Sequence, residues 1–98
     1  MTLELAMLNV IPGRESEFEL AFKQASKIIS SMNGFIHLQL QRCLERPNAY
    51  VLLVNWETLE DHTVGFRQSP VYQEWRALLH HFYDPFPTVE HFVSVKLE

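Results

Sequence analysis

Hydrophobic residues recur with two different periods along this chain, and the switches between them mark out its elements. Thr2 to Ile11 alternates loosely, with Leu3, Leu5 and Met7 set against Ala6, Leu8 and Val10, which predicts a strand apolar on both faces. Pro12-Gly13 ends it. From Glu15 the spacing lengthens. Phe18, Ala21, Phe22, Ala25, Ile28, Ile29 and Met32 lie three and four apart, the stripe of an amphipathic helix. Glu15, Glu17 and Glu19 fall in its first turns, where carboxylates favour the positive end of the helix dipole. Asn33-Gly34 supplies a left-handed stop.

Period two returns over Phe35–Leu44, with Ile36, Leu38 and Leu40 opposite Phe35, His37, Gln39 and Gln41. Glu45-Arg46-Pro47-Asn48 is a hairpin-sized turn, and Ala49–Trp56 is a third strand, apolar on both faces until Asn55. So short a connection predicts an antiparallel hairpin. Thr58 and Asp61 have capping-box spacing and open a short helix to about Phe66, with Gly65 loosening its end. Ser69-Pro70 predicts the N-cap and first residue of a further helix, whose stripe is Val71, Trp75, Leu78, Leu79 and Phe82. Asp84-Pro85-Phe86-Pro87 cannot continue a helix. Thr88–Leu97 reads as the last strand, with Val89, His91, Val93 and Val95 on one face.

The resulting order is β-α-β-β-α-β, an α+β, ferredoxin-like arrangement with one four-stranded antiparallel sheet and helices on one face. No strand has a cleanly polar side, so the other sheet face needs a cover. A second copy of the chain is the expected one, giving a homodimer packed sheet to sheet.

Composition narrows the function. Ninety-eight residues predict one domain, 1–98, and 47% hydrophobic with 20% charged residues is an ordinary globular balance. The formal charge is 8 − 12 = −4 and no basic run occurs, so nucleic acid is not an expected partner. The single Cys43 leaves no internal disulfide and no cysteine-based zinc cluster, which fits a reducing cytosol. MTLELAMLNV carries no basic leader and the apolar runs are short, so a cytoplasmic protein that does not enter membranes is expected. No metal is expected either: His80 and His81 are adjacent and diverge, and neither HxH nor HExxH spacing occurs.

The segment Trp56–Phe82 holds both tryptophans and three of the five histidines, an interleaving of aromatic and ionisable groups that suits a pocket for a flat organic ligand. Three features carry a family resemblance. They are Val54-Asn55-Trp56 followed by the Thr-Leu-Glu-Asp-His helix start, Gln68-Ser69-Pro70-Val71-Tyr72 leading into Trp75-Arg76, and the late Val89-Glu90-His91-Phe92 strand. With the element order, they resemble the antibiotic biosynthesis monooxygenase (ABM) domain family over essentially the whole chain. The resemblance implies a dimeric α+β barrel with a pocket in each protomer between helices and sheet. Some members oxidise polyphenolic or quinone-type aromatics with O2 and no metal, flavin or haem. Others degrade haem, handle small signalling molecules or have no known substrate. The haem-degrading branch relies on an Asn, a Trp and a His at places that align here with Ala6, Phe66 (or Gly65) and Arg76, so haem is the less expected ligand.

Cofactor-free oxygenation needs a base, donors for a developing phenolate and dry aromatic walls. His62 is read either as that base or ligand donor, or as an exposed helix histidine. His91, on an apolar strand face, either lines the pocket or is a satisfied core or interface group. Asn9 is the third catalytic candidate, an oxyanion-type donor, and Asn55 shares that reading. Trp75, Phe66, Tyr72, Phe82 and Phe86 read as core that doubles as aromatic lining. Arg67 and Arg76 are candidate holders of an anionic group, with solvated ion pairing as the alternative. His80 and His81 are read as helix-terminal residues favoured by the dipole, and His37 is unassigned. The expected activity is monooxygenation of a small aromatic or quinol-type compound without a cofactor. A dimer that binds a small hydrophobic metabolite, with different chemistry or none, is the alternative.

Overall fold

A computed structural model describes residues 1–98. Strands β1 (Thr2–Asn9), β2 (Phe35–Arg42), β3 (Ala49–Trp56) and β4 (Val89–Phe92) form one antiparallel sheet in the order β2-β3-β1-β4. Helix α1 (Glu15–Ser30), a π-helical turn (Asp61–Phe66), helix α2 (Tyr72–Leu79) and a 3-10 turn (His80–Phe82) complete the β-α-β-β-α-β, ferredoxin-like order.

Strand alternation decides what faces the helices. Glu4, Ala6, Leu8 and Val10 of the first strand and its extension are buried beside Tyr50, Leu52, Val54 and Trp56 of β3. Helix α1 lays Phe18, Phe22, Ala25 and Ile29 across them, and α2 adds Trp75 and Leu79. Phe18 lies at the centre, its ring centroid 4.9 Å from Tyr50 and 5.7 Å from Phe82. The chain leaves α1 through Gly34 at φ +84°, the left-handed region. A Cβ there would also overlap the Asp61 side chain.

Several local expectations change. The pairing Phe35↔Trp56 is followed by His37↔Asn55, so Ile36 is the extra residue of a β-bulge. The bulge breaks strict alternation: Phe35, Leu38 and Leu40 pack on the core while Ile36 is 46% exposed. It also gives β2 a polar outer side of His37, Gln39 and Gln41, tied by a Gln41 Nε2 to Gln39 Oε1 bond of 2.9 Å. The apolar part of the open sheet face therefore comes from Leu3, Leu5 and Met7 of β1, Val51 and Leu53 of β3, and Phe92 of β4. β2 ends at Arg42 rather than Leu44, since Cys43 N–H closes the turn onto the Ala49 carbonyl at 2.8 Å.

β4 covers Val89–Phe92 rather than Thr88–Leu97, because the ladder runs out of partner. Phe92 pairs with Leu3, and β1 begins one residue earlier. Val93, Val95 and Leu97 are consequently exposed. Ser69 does not cap α2. Its hydroxyl turns back to donate to the Phe66 carbonyl at 2.7 Å, and the helix proper starts at Tyr72 without a side-chain cap. The short helix after Thr58 is wound as a π turn.

Candidate functional site

The capping box predicted at Thr58 and Asp61 forms. Thr58 N–H and Oγ1–H donate to Asp61 Oδ2 at 3.1 and 2.9 Å, and Asp61 N–H donates to Thr58 Oγ1 at 3.1 Å. This fixes where the π turn starts. Its wide winding, closed by Arg67 N–H on the His62 carbonyl, brings residues four apart nearly into line. Both His62 and Phe66 therefore point inward and are buried.

Beneath them lies a cavity of about 260 Å³. The sheet contributes Glu4, Ala6, Leu8, Leu52 and Val89. The π turn and its end contribute His62, Phe66 and Arg67, and α2 contributes Tyr72 and Trp75. The segment after α2 adds His80, Tyr83, Phe86 and Pro87. Phe66 anchors the aromatic wall, with Tyr72 and Trp75 edge-on at 5.2 and 5.4 Å. Beside it runs a chain of polar contacts. Trp56 Nε1–H donates to Glu4 Oε1 at 2.9 Å, and His62 Nε2 lies 3.4 Å from the same oxygen. His62 Nδ1 then meets His91 Nε2 at 2.8 Å. Register explains the convergence, because Glu4 and His91 are direct partners across β1 and β4. The Trp56 indole stacks on the His62 ring at 5.4 Å and 17°.

Glu4 and His62 are only 4% and 3% exposed, so desolvation governs both. Burial raises the Glu4 carboxyl above its usual 4.5, against the opposing pull of the Trp56 N–H and the Arg67 charge. Burial, then Arg67, then His91 lower His62 to about 3. At 3.4 Å the two have the spacing of an ion pair, yet both shifts favour the neutral forms. His62 is a neutral hydrogen-bonding imidazole here rather than half of a salt bridge. His91 is also lowered, by burial and Arg67, and Tyr83 is raised, chiefly by burial.

The fold brings most of the sequence candidates together. His62, Phe66, Arg67, Tyr72 and Trp75 line the cavity, and His91 reaches it through His62. Asn9, Asn55, Arg76 and Phe82 lie away from it. Asn9 alternates with the inward residues of β1, so its side chain belongs to the opposite sheet face, and Asn55 shares that face. Arg76 is exposed on the outer side of α2. Phe82 is buried against Phe18 with the Arg14 guanidinium over its ring at 4.6 Å. His80, read from sequence as a helix-end residue, lines the cavity with its ring 5.0 Å from Phe86.

Sequence spacing singles out neither Glu4 nor Tyr83, and it gives Trp56 only as part of the aromatic segment. The signal for Glu4 is its parity. It shares the inward register of Ala6, Leu8 and Val10, and a carboxylate on a buried strand face requires partners.

Fold and site together define a small α+β domain with a cavity lined by aromatic side chains and by buried Glu4 and His62. The chain belongs to the antibiotic biosynthesis monooxygenase family, whose model matches residues 1–78. His91 and the lining residues beyond position 78 lie outside that match. The chain is 61% identical over 95 residues to YczJ, an uncharacterized protein of Bacillus subtilis strain 168, covering 97% of this chain and all of YczJ. A solved structure assigned to the antibiotic biosynthesis monooxygenases, from Bordetella bronchiseptica, is 39% identical with a TM-score of 0.91 and 97% coverage of both chains. SnoaB, a cofactor-independent oxygenase from Streptomyces nogalater, shares the fold at TM-score 0.74 and 22% identity, over 98% of this chain and 94% of its own. No helix is long and apolar enough to cross a membrane.

Proposed function

We propose that this chain is a cofactor-independent monooxygenase that oxidises a small phenol or quinol with O2. The observation that carries the reading is that buried Glu4 and His62 share one cavity lining with Phe66, Tyr72 and Trp75, with His62 bonded behind to His91. Loss of the hydroxyl proton makes the substrate electron-rich enough to reduce O2 itself. A carbon–oxygen bond then forms, the O–O bond breaks, and one oxygen leaves as water. The protein's share is to take the proton, hold the ring and exclude water. An apolar cavity of about 150 Å³ holds benzene. The volume of about 260 Å³ here therefore favours one or two rings over a large polycycle. Arg67 carries a fixed positive charge at the cavity edge and suits a carboxylate or second phenolate on the substrate.

The working unit in this reading is a cytoplasmic homodimer of single domains, 1–98. Its interface is the open sheet face, where Leu3, Leu5, Val51 and Leu53 adjoin. Sedimentation of the wild type should give a dimer at micromolar concentration, and Leu53→Lys should shift it toward monomer. A monomeric wild type refutes the interface. For the reaction, O2 uptake with a panel of hydroquinones and naphthols is compared between wild type and the His62→Ala, His91→Ala double variant. A wild-type rate above the uncatalysed oxidation, lowered in the variant, is expected. Uncatalysed rates for both, with ligand still bound, would return the chain to the class of metabolite-binding proteins.

A further inference from the structure

His62 has no nitrogen free of a close partner, and His91 is set back from the cavity. His62 Nδ1 is engaged by His91 Nε2 at 2.8 Å, and its Nε2 faces Glu4 Oε1 at 3.4 Å. His91 does not line the cavity. Glu4 differs. Its Oε1 collects both the Trp56 indole N–H and the His62 ring, while Oε2 has no hydrogen-bond partner. No buried side-chain oxygen in the protein lacks a partner, so Oε2 is the edge that Glu4 presents to the cavity it lines. One carboxylate oxygen is clamped and the other open, on a strand paired on both sides by β3 and β4.

We infer that Glu4 Oε2 is the catalytic base of this cavity and removes the hydroxyl proton of a bound phenol or quinol, with Trp56 and His62 as positioning residues that fix Oε1. The inference rests on the phenol-oxidising reading above and assigns its proton acceptor. In the step, the substrate O–H bond breaks, an Oε2–H bond forms, and the electron pair stays on the substrate oxygen. The charged and titratable groups around Glu4 are His62 from the π turn, Arg67 just after it, His91 from β4 and Tyr83 after α2. Arg67 is the one fixed charge among them and keeps the carboxylate accessible. Burial works against it and moves the carboxyl upward, toward the range where a base is effective at neutral pH. His80 also lines the cavity and is the rival acceptor.

The test needs no turnover. 4-Nitrophenolate, whose absorbance reports its ionisation, is titrated into the protein by calorimetry in two buffers of different ionisation enthalpy, at a pH where the free probe is ionised. Wild type is expected to take up about one proton per probe bound, delivered to Glu4. Glu4→Gln keeps the shape and an acceptor for the Trp56 N–H, and should bind the probe with no uptake. Its kcat on quinols should fall about 100-fold or more. Glu4→Asp, checked by circular dichroism alongside it, keeps the acid but withdraws it by one methylene, and should retain uptake with reduced kcat.

Uptake that survives in Glu4→Gln, or is lost only in His80→Gln, overturns the assignment. So does a wild type that binds without uptake, or does not bind. If uptake depends on Glu4 but no quinol consumes O2, the oxygenase reading falls while the base stands. If wild type and Glu4→Gln oxidise quinols equally, the base falls and the oxygenase stands.

Discussion

The assignment of His62 as a neutral imidazole makes a quantitative claim about stability and pH. In the unfolded chain a histidine titrates near 6.5, whereas in the folded protein His62 is lowered to about 3. Between those values the unfolded state binds a proton that the folded state refuses, so stability is lost as pH falls below about 6.5. From pH 7.5 to pH 5 the loss from this one group is about 2 kcal/mol. Glu4 acts with the opposite sign. Its folded value is raised, so the folded state holds a proton longer, and stability falls as pH rises above about 4.5.

His62→Gln separates the two. The variant keeps a polar side chain near Glu4 but has no titrating ring, so the His62 contribution disappears and that of Glu4 remains. Urea denaturation followed by tryptophan fluorescence, at fixed protein concentration and several pH values, gives the difference between wild type and variant. That difference should grow in favour of wild type by about 2 kcal/mol from pH 5 to pH 7.5. A difference independent of pH would mean that folding leaves the His62 titration unshifted, and one growing toward acid would mean that the folded state favours the imidazolium. The 3.4 Å contact with Glu4 would then be a true ion pair, and the neutral-imidazole argument would be wrong.

Other substitutions probe the supports of the site. Trp56→Phe removes the indole N–H from Glu4 Oε1 and should cost about 1–3 kcal/mol in chemical denaturation, since a buried acceptor loses its donor. Gly34→Ala places a Cβ against Asp61 at φ +84°, and should lower stability by about 1–3 kcal/mol in a thermal or urea melt. Thr58→Ala deletes half of the capping box, at a cost of about 1 kcal/mol, with weakened ligand binding as the π turn loosens. Arg67→Gln should weaken binding of a carboxylated phenol severalfold while leaving its uncharged analogue nearly unaffected, read by tryptophan quenching.

Long, strongly patterned stretches were legible from sequence, and so was the overall element order. The α1 stripe, the β3 run and the Thr58/Asp61 box all sit where spacing puts them. What escaped were features set by a second element. The bulge at Ile36 exists because Phe35 and Leu38 both reach the core from one strand, and simple alternation has no place for an inserted residue. β4 is short because β1 ends as its partner, a fact about register that Val93, Val95 and Leu97 do not carry themselves. Within the site, His62 and His91 stand out as titratable groups in apolar surroundings. Glu4 does not stand out, because a lone acidic residue in a strand reads first as solvent-exposed. Its burial depends on a tryptophan 52 residues away.

The position of β4 has one more consequence. It is a four-residue strand at the edge of the sheet, bonded on one side only, and it carries the last member of the polar chain. Short edges are where folded proteins open first in native-state fluctuations. An opening of β4 would part His91 from His62 and admit solvent to the imidazole Nδ1, coupling the breathing of the edge to the protonation of His62. Amide exchange at Val89–Phe92 would then slow whenever a bound ligand holds His62 in place.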